Sequence, residues 1–227
     1  MDGKDAGDMR SAAQCRAGIL VCHDGTLRED EQLCVRKAVM GLRAVFPFAR
    51  VLNVGCGRWG GAMSDALPKG TENEEGRCNA SRILRRMYAA RKAEPGAWAA
   101  VLFTGRDLYL PRQSWCFGAA SYRQRVTVQS LVRYRDLSAA ERELCVRRTL
   151  RHELGHVFGM AADRARPGVV DDRGLHCTSP GCSMRQTGKL RDLLVCAAEE
   201  ERSGELFCPL CRADLARTLG ELSGCSR

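Results

Sequence analysis

Two histidines and a glutamate stand at a spacing that suits metal-assisted hydrolysis. Residues 152–156 read His-Glu-Leu-Gly-His, which fits the pattern His-Glu-x-x-His. Residues four apart in a helix lie one turn from each other on the same face, so His152 and His156 can bind one zinc ion. Glu153 is then placed to act on a water at that metal. The alternative interpretation is a pair of helix histidines beside a surface glutamate.

A third protein ligand must follow, because a catalytic zinc ion usually holds three protein groups and one water. The remaining downstream histidine is His176. It follows a polar stretch, residues 160–175, which has the composition of an inserted, solvated loop. Closing a loop of this size costs little extra entropy, so His176 is the predicted third ligand. The alternative ligands are Asp163, Asp171 and Asp172.

Four of the thirteen cysteines form two pairs with metal-binding spacing. Four thiolates make a closed, tetrahedral structural zinc site; the competing interpretations are a redox Cys-x-x-Cys and inert buried thiols. Neither a signal peptide nor an apolar run of about 20 residues is evident, so we expect a cytoplasmic chain with free thiols. The sequence therefore predicts two zinc ions, one catalytic and one structural. The predicted structural ligands are Cys177, Cys182, Cys208 and Cys211.

The helix that must carry the two histidines has well-marked ends. Ser138 and Glu141 form a capping-box pattern ahead of an apolar run with helical spacing. Gly159 can adopt the left-handed conformation that often ends a helix. The pattern predicts a helix over about residues 139–158, after which the chain turns back toward the metal.

Strands and helices alternate upstream of this helix, which is typical of an α/β fold. The sequence predicts strands at 19–22, 51–54 and 99–104 and helices at 29–46 and 79–92. A chain of 227 residues fits a single domain. We predict one domain over 1–227, with an upper lobe of about 15–160. The predicted lower lobe, about 161–222, contains the inserted loop 160–175.

The net charge of +9 is concentrated in part on residues 121–151, which contain eight arginines and three acidic residues. A basic face could bind nucleic acid nonspecifically. Because no recognised nucleic-acid-binding fold accompanies it, we expect a solvated basic surface rather than a nucleic-acid partner. A basic rim could also steer acidic peptides toward a cleft. We expect a monomer without membrane contact.

Together the motifs resemble the archaemetzincin family of metzincin-type zinc peptidases. The family pattern is His-Glu-x-x-His-x-x-Gly-x-x-His-Cys-x4-Cys-x-Met, followed by Cys-x-x-Cys. This chain is similar to it at residues 152–159, 176–184 and 208–211. It departs from the pattern after Gly159, where sixteen residues instead of two precede the next histidine. Segments 101–131 are also similar to strands of the family.

The resemblance implies an α/β (α+β) fold: a mixed twisted sheet, an active-site helix and a small C-terminal lobe that holds the structural zinc. It also implies that Met184 forms an apolar floor beneath the catalytic zinc. An edge strand near residues 116–120 is expected to hold a peptide in extended form.

The implied activity is peptide-bond hydrolysis by a zinc metallopeptidase. A water on the catalytic zinc would have a lowered pKa, and Glu153 would act as the general base. The family resemblance further implies aminopeptidase-like cleavage of small peptides. The alternative function is a non-catalytic, zinc-stabilised binding protein with a basic, nucleic-acid-associated face. Glu153 favours the enzyme, because a purely structural site needs no general base.

Overall fold

The fold is a mixed α/β arrangement, and the computed structural model describes residues 18–46, 50–54, 72–94 and 96–224. The strands are β1 Gly18–His23, β2 Arg50–Val54, β3 Cys78–Asn79, β4 Ala97–Thr104, β5 Leu108–Leu110, β6 Gln113–Cys116, β7 Gly118–Ser121, β8 Val126–Ser130, β9 Val169–Asp171 and β10 Leu175–Cys177. The helices are α1 Glu29–Met40, α2 Leu42–Val45, α3 Ala80–Ala93, α4 Ala139–Val157, α5 Leu190–Ser203 and α6 Pro209–Gly224, with a 3-10 turn at Val132–Tyr134.

A five-stranded sheet in the order β2-β1-β4-β8-β7 forms the centre of the molecule. Its first four strands are parallel, and β7 runs antiparallel to β8 at the edge. A three-stranded sheet, β3-β5-β6, and a β9-β10 hairpin complete the described strands. This architecture confirms the predicted α/β fold class with a mixed sheet.

The two faces of the central sheet bury different sets of side chains, because successive residues of a strand point to opposite faces. In β4, Val101 and Phe103 pack in the cluster that includes α1 and α4 side chains, whereas Ala100 and Leu102 pack in the cluster that includes α3 side chains. The sheet is therefore covered on both sides. Burial of these apolar residues provides a rigid platform for α4.

Helix α4 begins and ends as its sequence predicts. The Ser138 hydroxyl accepts a hydrogen bond from the Glu141 backbone N–H at 3.3 Å, and the Glu141 carboxylate accepts one from the Ser138 N–H at 3.0 Å. Gly159 has a φ of +78°, the left-handed conformation that glycine adopts without strain. Leu150 and Leu154 are buried toward the sheet, so α4 presents a fixed face to the site.

Two sequence predictions need correction. The helix predicted at 29–46 is divided at Gly41, where the chain tightens through a hydrogen bond from Ala44 N–H to Gly41 O at 3.2 Å. Glycine is a poor helix former, so the break at this residue has a physical cause. The inserted loop 160–175 is largely exposed, as expected, but it also contains β9, which pairs with β10.

No helix within the described part of the chain is both long and apolar enough to cross a membrane.

The division of the chain into an upper and a lower lobe stays a prediction.

Candidate functional site

Three histidine side chains converge at the end of α4. The ligand atoms of His152, His156 and His176 lie within 4.8 Å of one another. The Nε2 atoms of His152 and His156 are 3.2 Å apart, and the ring centroid of His176 is 5.2 Å from that of His152 and 5.0 Å from that of His156. This grouping has the donor chemistry of a zinc site with three imidazole ligands.

Two different elements bring these rings together. His152 and His156 project from α4, whereas His176 is the central residue of β10. Residue 170 of β9 is the register partner of His176, so the inserted segment forms the hairpin that delivers the third ring. The long step from Gly159 to His176 is therefore compatible with a compact three-histidine group.

Backbone carbonyls orient two of the rings. His152 Nδ1 lies 2.7 Å from the carbonyl oxygen of Ser183, and His176 Nδ1 lies 3.0 Å from the carbonyl oxygens of Asp172 and Gly174. A carbonyl only accepts, so each Nδ1 carries the proton and donates it. Nε2 of the same ring then keeps its lone pair for a metal, as in many histidine metal sites.

Burial keeps the three imidazoles neutral. Desolvation lowers the pKa of His156 to about 3, and it lowers the pKa of His152 and of His176. The neighbouring rings add to the effect at His152 and His156. Neutral imidazole is the form that binds metal, so this group is ready for a cation near neutral pH.

Glu153 lines the same cleft, which has a volume of about 790 Å³. Its side chain is buried, and burial raises its pKa to about 8. A cation at the three histidines would favour the ionised carboxylate and oppose this shift. A Cβ atom added to Gly118 would lie 2.8 Å from Glu153 Oε1, so the carboxylate sits directly against the backbone of edge strand β7.

The three alternative ligands stand apart from this group. Asp163, Asp171 and Asp172 are exposed, and none of them joins the histidines within 4.8 Å. Asp163 instead accepts a hydrogen bond from the Ala165 backbone, and Asp171 pairs with Arg164. The structure thus brings His176, rather than an aspartate, to the other two histidines. Its role as a ligand stays a prediction.

The second ligand group consists of the four cysteines predicted from spacing. The sulfur atoms of Cys177, Cys182, Cys208 and Cys211 lie within 4.8 Å of one another. The Cys177 and Cys208 sulfurs are 3.6 Å apart, far beyond the roughly 2.05 Å of a disulfide. Hydrogen bonds from the Cys211 thiol and the Cys208 backbone lower the pKa of Cys182 to about 5. Such a cluster of four free cysteines suits a tetrahedral zinc site.

The cysteine group adjoins the third histidine in the chain. Cys177 follows His176 in β10, and its backbone N–H donates to the carbonyl oxygen of Met184 at 3.0 Å. Ser183, whose carbonyl oxygen accepts from His152, is held in turn by the Leu206 carbonyl. A metal bound at the cysteines would therefore restrain both His176 and the carbonyl that orients His152.

Comparison with known proteins finds two similar archaemetzincins. An archaemetzincin of Thermococcus kodakarensis is 31% identical over 130 residues, which cover 55% of this chain and 59% of that protein. An archaemetzincin of Pyrobaculum aerophilum is 26% identical over 63% of this chain and 74% of its own length. The resemblance to the archaemetzincin family is confirmed. No protein-family profile matches the chain.

Solved structures agree on the fold. The archaemetzincin of Methanopyrus kandleri superposes with a TM-score of 0.66 at 20% identity, covering 91% of this chain and 97% of that one. A zinc-dependent peptidase of Methanocorpusculum labreanum gives a TM-score of 0.63 at 19% identity, covering 87% of this chain and 100% of that one. Sequence identities this low support a likeness in fold alone. The chain therefore has an archaemetzincin-like fold.

Met184, the methionine expected of an archaemetzincin-like site, packs against helix α4 at Gly155. Met184 is fully buried, and a Cβ atom added to Gly155 would overlap its sulfur. Gly155 stands between Glu153 and His156 in α4, so only the absence of a side chain there lets the methionine approach the helix. The sequence identified both residues but did not reveal that they touch.

Replacing Gly155 with alanine is expected to destabilise the chain by about 1–3 kcal/mol, because the added methyl group overpacks the space held by Met184. Urea denaturation monitored by circular dichroism measures the change. Gly220→Ala is the matched control, since Gly220 lies in helix α6 with nothing within 4 Å of an added Cβ, and its stability is expected to stay equal or rise. Equal stability of Gly155→Ala and wild type would refute the close contact.

Sequence reasoning missed a buried ionic group next to the site. Arg148 and Arg151 of α4 both pair with Glu200 of α5, at 2.8 and 2.6 Å. All three residues are at least 90% buried. Their sequence separation of about fifty residues hides the pairing, although two arginines on the inward side of a helix are an unusual pattern that could have indicated it.

Proposed function

We propose that this chain is a zinc-dependent metallopeptidase that hydrolyses peptide bonds. The observation that carries the proposal is the convergence of three neutral histidines and a buried glutamate in one cleft. A purely structural zinc site needs no such carboxylate and no open cleft. The archaemetzincin relatives and the similar structure of a zinc-dependent peptidase support the same chemistry.

In this proposal the chain holds two zinc ions. The Nε2 atoms of the histidine group would hold the catalytic ion, and the four cysteine sulfurs would hold the structural one. When bound at the histidines, zinc supplies a Lewis acid that polarises the peptide carbonyl and makes the attacking water more acidic. Three protein ligands leave a coordination position for chemistry, whereas four thiolates do not.

Glu153 is the proposed general base. Its carboxylate would accept the proton of the attacking water and then deliver it to the nitrogen of the departing amine. Contact with the backbone at Gly118 limits where the carboxylate can point. The burial that raises its pKa in the absence of a cation also excludes bulk water, which strengthens its interactions with reacting groups.

Strand β7 offers a docking edge for the substrate. Residues 118–121 pair with β8 on one side, and on the other they line the cleft. An extended peptide could add to this edge through main-chain hydrogen bonds, the mode known as β-augmentation. The peptide would then pass Glu153, because Gly118 lies at one end of the strand. A peptide is thus the proposed substrate class.

The test is incubation of the zinc-loaded full-length chain with a library of peptides, with products identified by mass spectrometry. We expect cleavage that depends on zinc. The termini of the products also decide whether cleavage is aminopeptidase-like, as the family resemblance implies. Absence of cleavage in a diverse library, with zinc present at both groups, would contradict the peptidase proposal and favour a zinc-stabilised binding protein.

The third ligand has its own test. His176→Ala is expected to lower the zinc content from two ions to one per chain and to abolish cleavage, because it removes one of three imidazoles. Asp163→Ala is the control and should keep both zinc ions and the activity. Elemental analysis measures the zinc content. Zinc retained in His176→Ala but lost in Asp163→Ala would assign the site to the aspartate.

A further inference from the structure

The wall of the cleft beside His152 contains a buried arginine that the hydrolytic step does not use. Arg148 lies one helical turn before His152 and lines the cleft together with Thr187 and Leu193. Its exposed fraction is 1%. A guanidinium group is not deprotonated in proteins, so this side chain carries a full positive charge in the interior.

The charge of Arg148 is only partly balanced. Glu200 places Oε1 2.8 Å from Arg148 Nε and Oε2 2.6 Å from Arg151 Nη2. One carboxylate thus serves two guanidinium groups, which leaves a net charge of +1 on the trio. Among the described residues, no second carboxylate lies within 4.0 Å of either arginine. Uncompensated buried charge is unfavourable, so the trio would be stabilised by an anion in the cleft.

Arg148 also has hydrogen-bonding capacity to spare. Its Nη1 donates to Thr187 Oγ1 at 3.5 Å, and its Nη2 donates to the Arg185 carbonyl oxygen at 3.2 Å. Each terminal nitrogen bears two hydrogens, so two of the four lack an acceptor within the described chain. Two such hydrogens match the two oxygens of a carboxylate, which arginine commonly binds in pairs.

Apart from Glu153, the other charged side chains that line the cleft are positive. Three further arginines line it, and all are exposed, whereas Glu153 is the one carboxylate among the lining residues that the structure describes. A positively charged entrance attracts anions and raises their local concentration. The additional lining arginines are Arg85, Arg123 and Arg173.

We propose that the cleft selects peptides that carry a carboxylate next to the scissile bond, and that Arg148 binds this carboxylate. The inference rests on the proposed peptidase function and names its substrate class. Two sources could supply the group, the side chain of an aspartate or glutamate or the free carboxyl terminus of a short peptide. Both present the same two oxygens to the guanidinium.

The experiment compares paired peptides with the zinc-loaded full-length chain. One set carries glutamate or glutamine at each position around the scissile bond in turn, and a second set carries a free or an amidated carboxyl terminus. At one position, we expect kcat/KM to be about 10–100-fold higher for the peptide with the carboxylate than for its neutral counterpart. One charge-assisted hydrogen-bonded pair contributes an effect of this size. Whichever set responds identifies the source of the carboxylate.

Substitutions at Arg148 and Arg151 test whether Arg148 is the source of the preference for carboxylate peptides. Arg148→Met is expected to bring the ratio of the two rates close to one, mainly by lowering the rate on the carboxylate peptide, whereas Arg148→Lys should retain part of the preference. Arg151→Met is the matched control, because Arg151 shares Glu200 and is similarly buried but does not line the cleft. It should keep the full preference.

Two outcomes would overturn the inference. One is equal kcat/KM for all paired peptides with the wild-type chain, and the other is an equal loss of preference in Arg148→Met and Arg151→Met. Calorimetric binding of the paired peptides to the Glu153→Gln variant separates the inference from the proposed function. A carboxylate preference in binding without any wild-type hydrolysis would contradict the peptidase proposal alone; hydrolysis without preference would contradict the inference alone.

Discussion

Glu153→Gln is expected to lower the rate of peptide hydrolysis by about 10²–10⁴-fold while both zinc ions stay bound. The amide keeps the size of the side chain and its contact with Gly118, but it cannot accept a proton. Because Glu153 is not among the converging ligand atoms, zinc content should not change. The measurement is kcat on a cleaved peptide together with elemental analysis of the same sample.

A second glutamate of the same helix provides the control. Glu143→Gln, in α4 but paired with Lys37 at the surface, should leave hydrolysis unchanged.

The base must be ionised to accept a proton, so wild-type kcat/KM should fall as the pH drops through the pKa of Glu153. Burial alone sets this pKa near 8, and bound zinc would lower it, so the fall should lie below pH 8. Hydrolysis by Glu153→Gln at the wild-type rate would refute the assigned base.

Cys208→Ser is expected to remove the structural zinc and to destabilise the fold strongly. Binding of structural zinc contributes about 10–16 kcal/mol in small zinc domains, and the loss of one thiolate forfeits much of it. Cys177 directly follows His176 in β10, so release of the metal from Cys177 should also displace His176 and reduce hydrolysis. Thermal denaturation and zinc content measure the effect.

The control for this variant is Cys196→Ser. Cys196 lies in α5, is partly exposed and does not belong to the cysteine group. Its substitution should leave zinc content and melting temperature unchanged. A Cys208→Ser variant that keeps two zinc ions and the wild-type melting temperature would show that the four sulfurs do not hold a metal.

Local chemistry made much of the site predictable. The capping residues Ser138 and Glu141 and the stop at Gly159 define α4 because their effects act within one or two helical turns. The position of His152 and His156 on one face follows from the period of the helix. The cysteine group was predictable because metal-binding pairs have characteristic spacings.

Contacts between distant segments were not predictable in this way. The approach of Met184 to Gly155 and of Glu153 to Gly118 depends on how a loop and an edge strand pack on α4. The sharing of Glu200 by two arginines likewise depends on the packing of α5 against α4. Periodicity and spacing contain no information about these tertiary contacts. The hairpin in the inserted segment was missed because its polar, glycine-containing sequence is typical of a solvated loop.

Zinc X-ray absorption spectroscopy of the fully loaded wild-type chain tests the central claim most directly, namely that one ion is held by three histidines and another by four cysteines. Averaged over two ions, each zinc should have two sulfur neighbours at about 2.3 Å and two nitrogen or oxygen neighbours at about 2.0–2.1 Å. A shell of sulfur alone, with one zinc per chain, would mean that the histidine group holds no metal and would contradict the account.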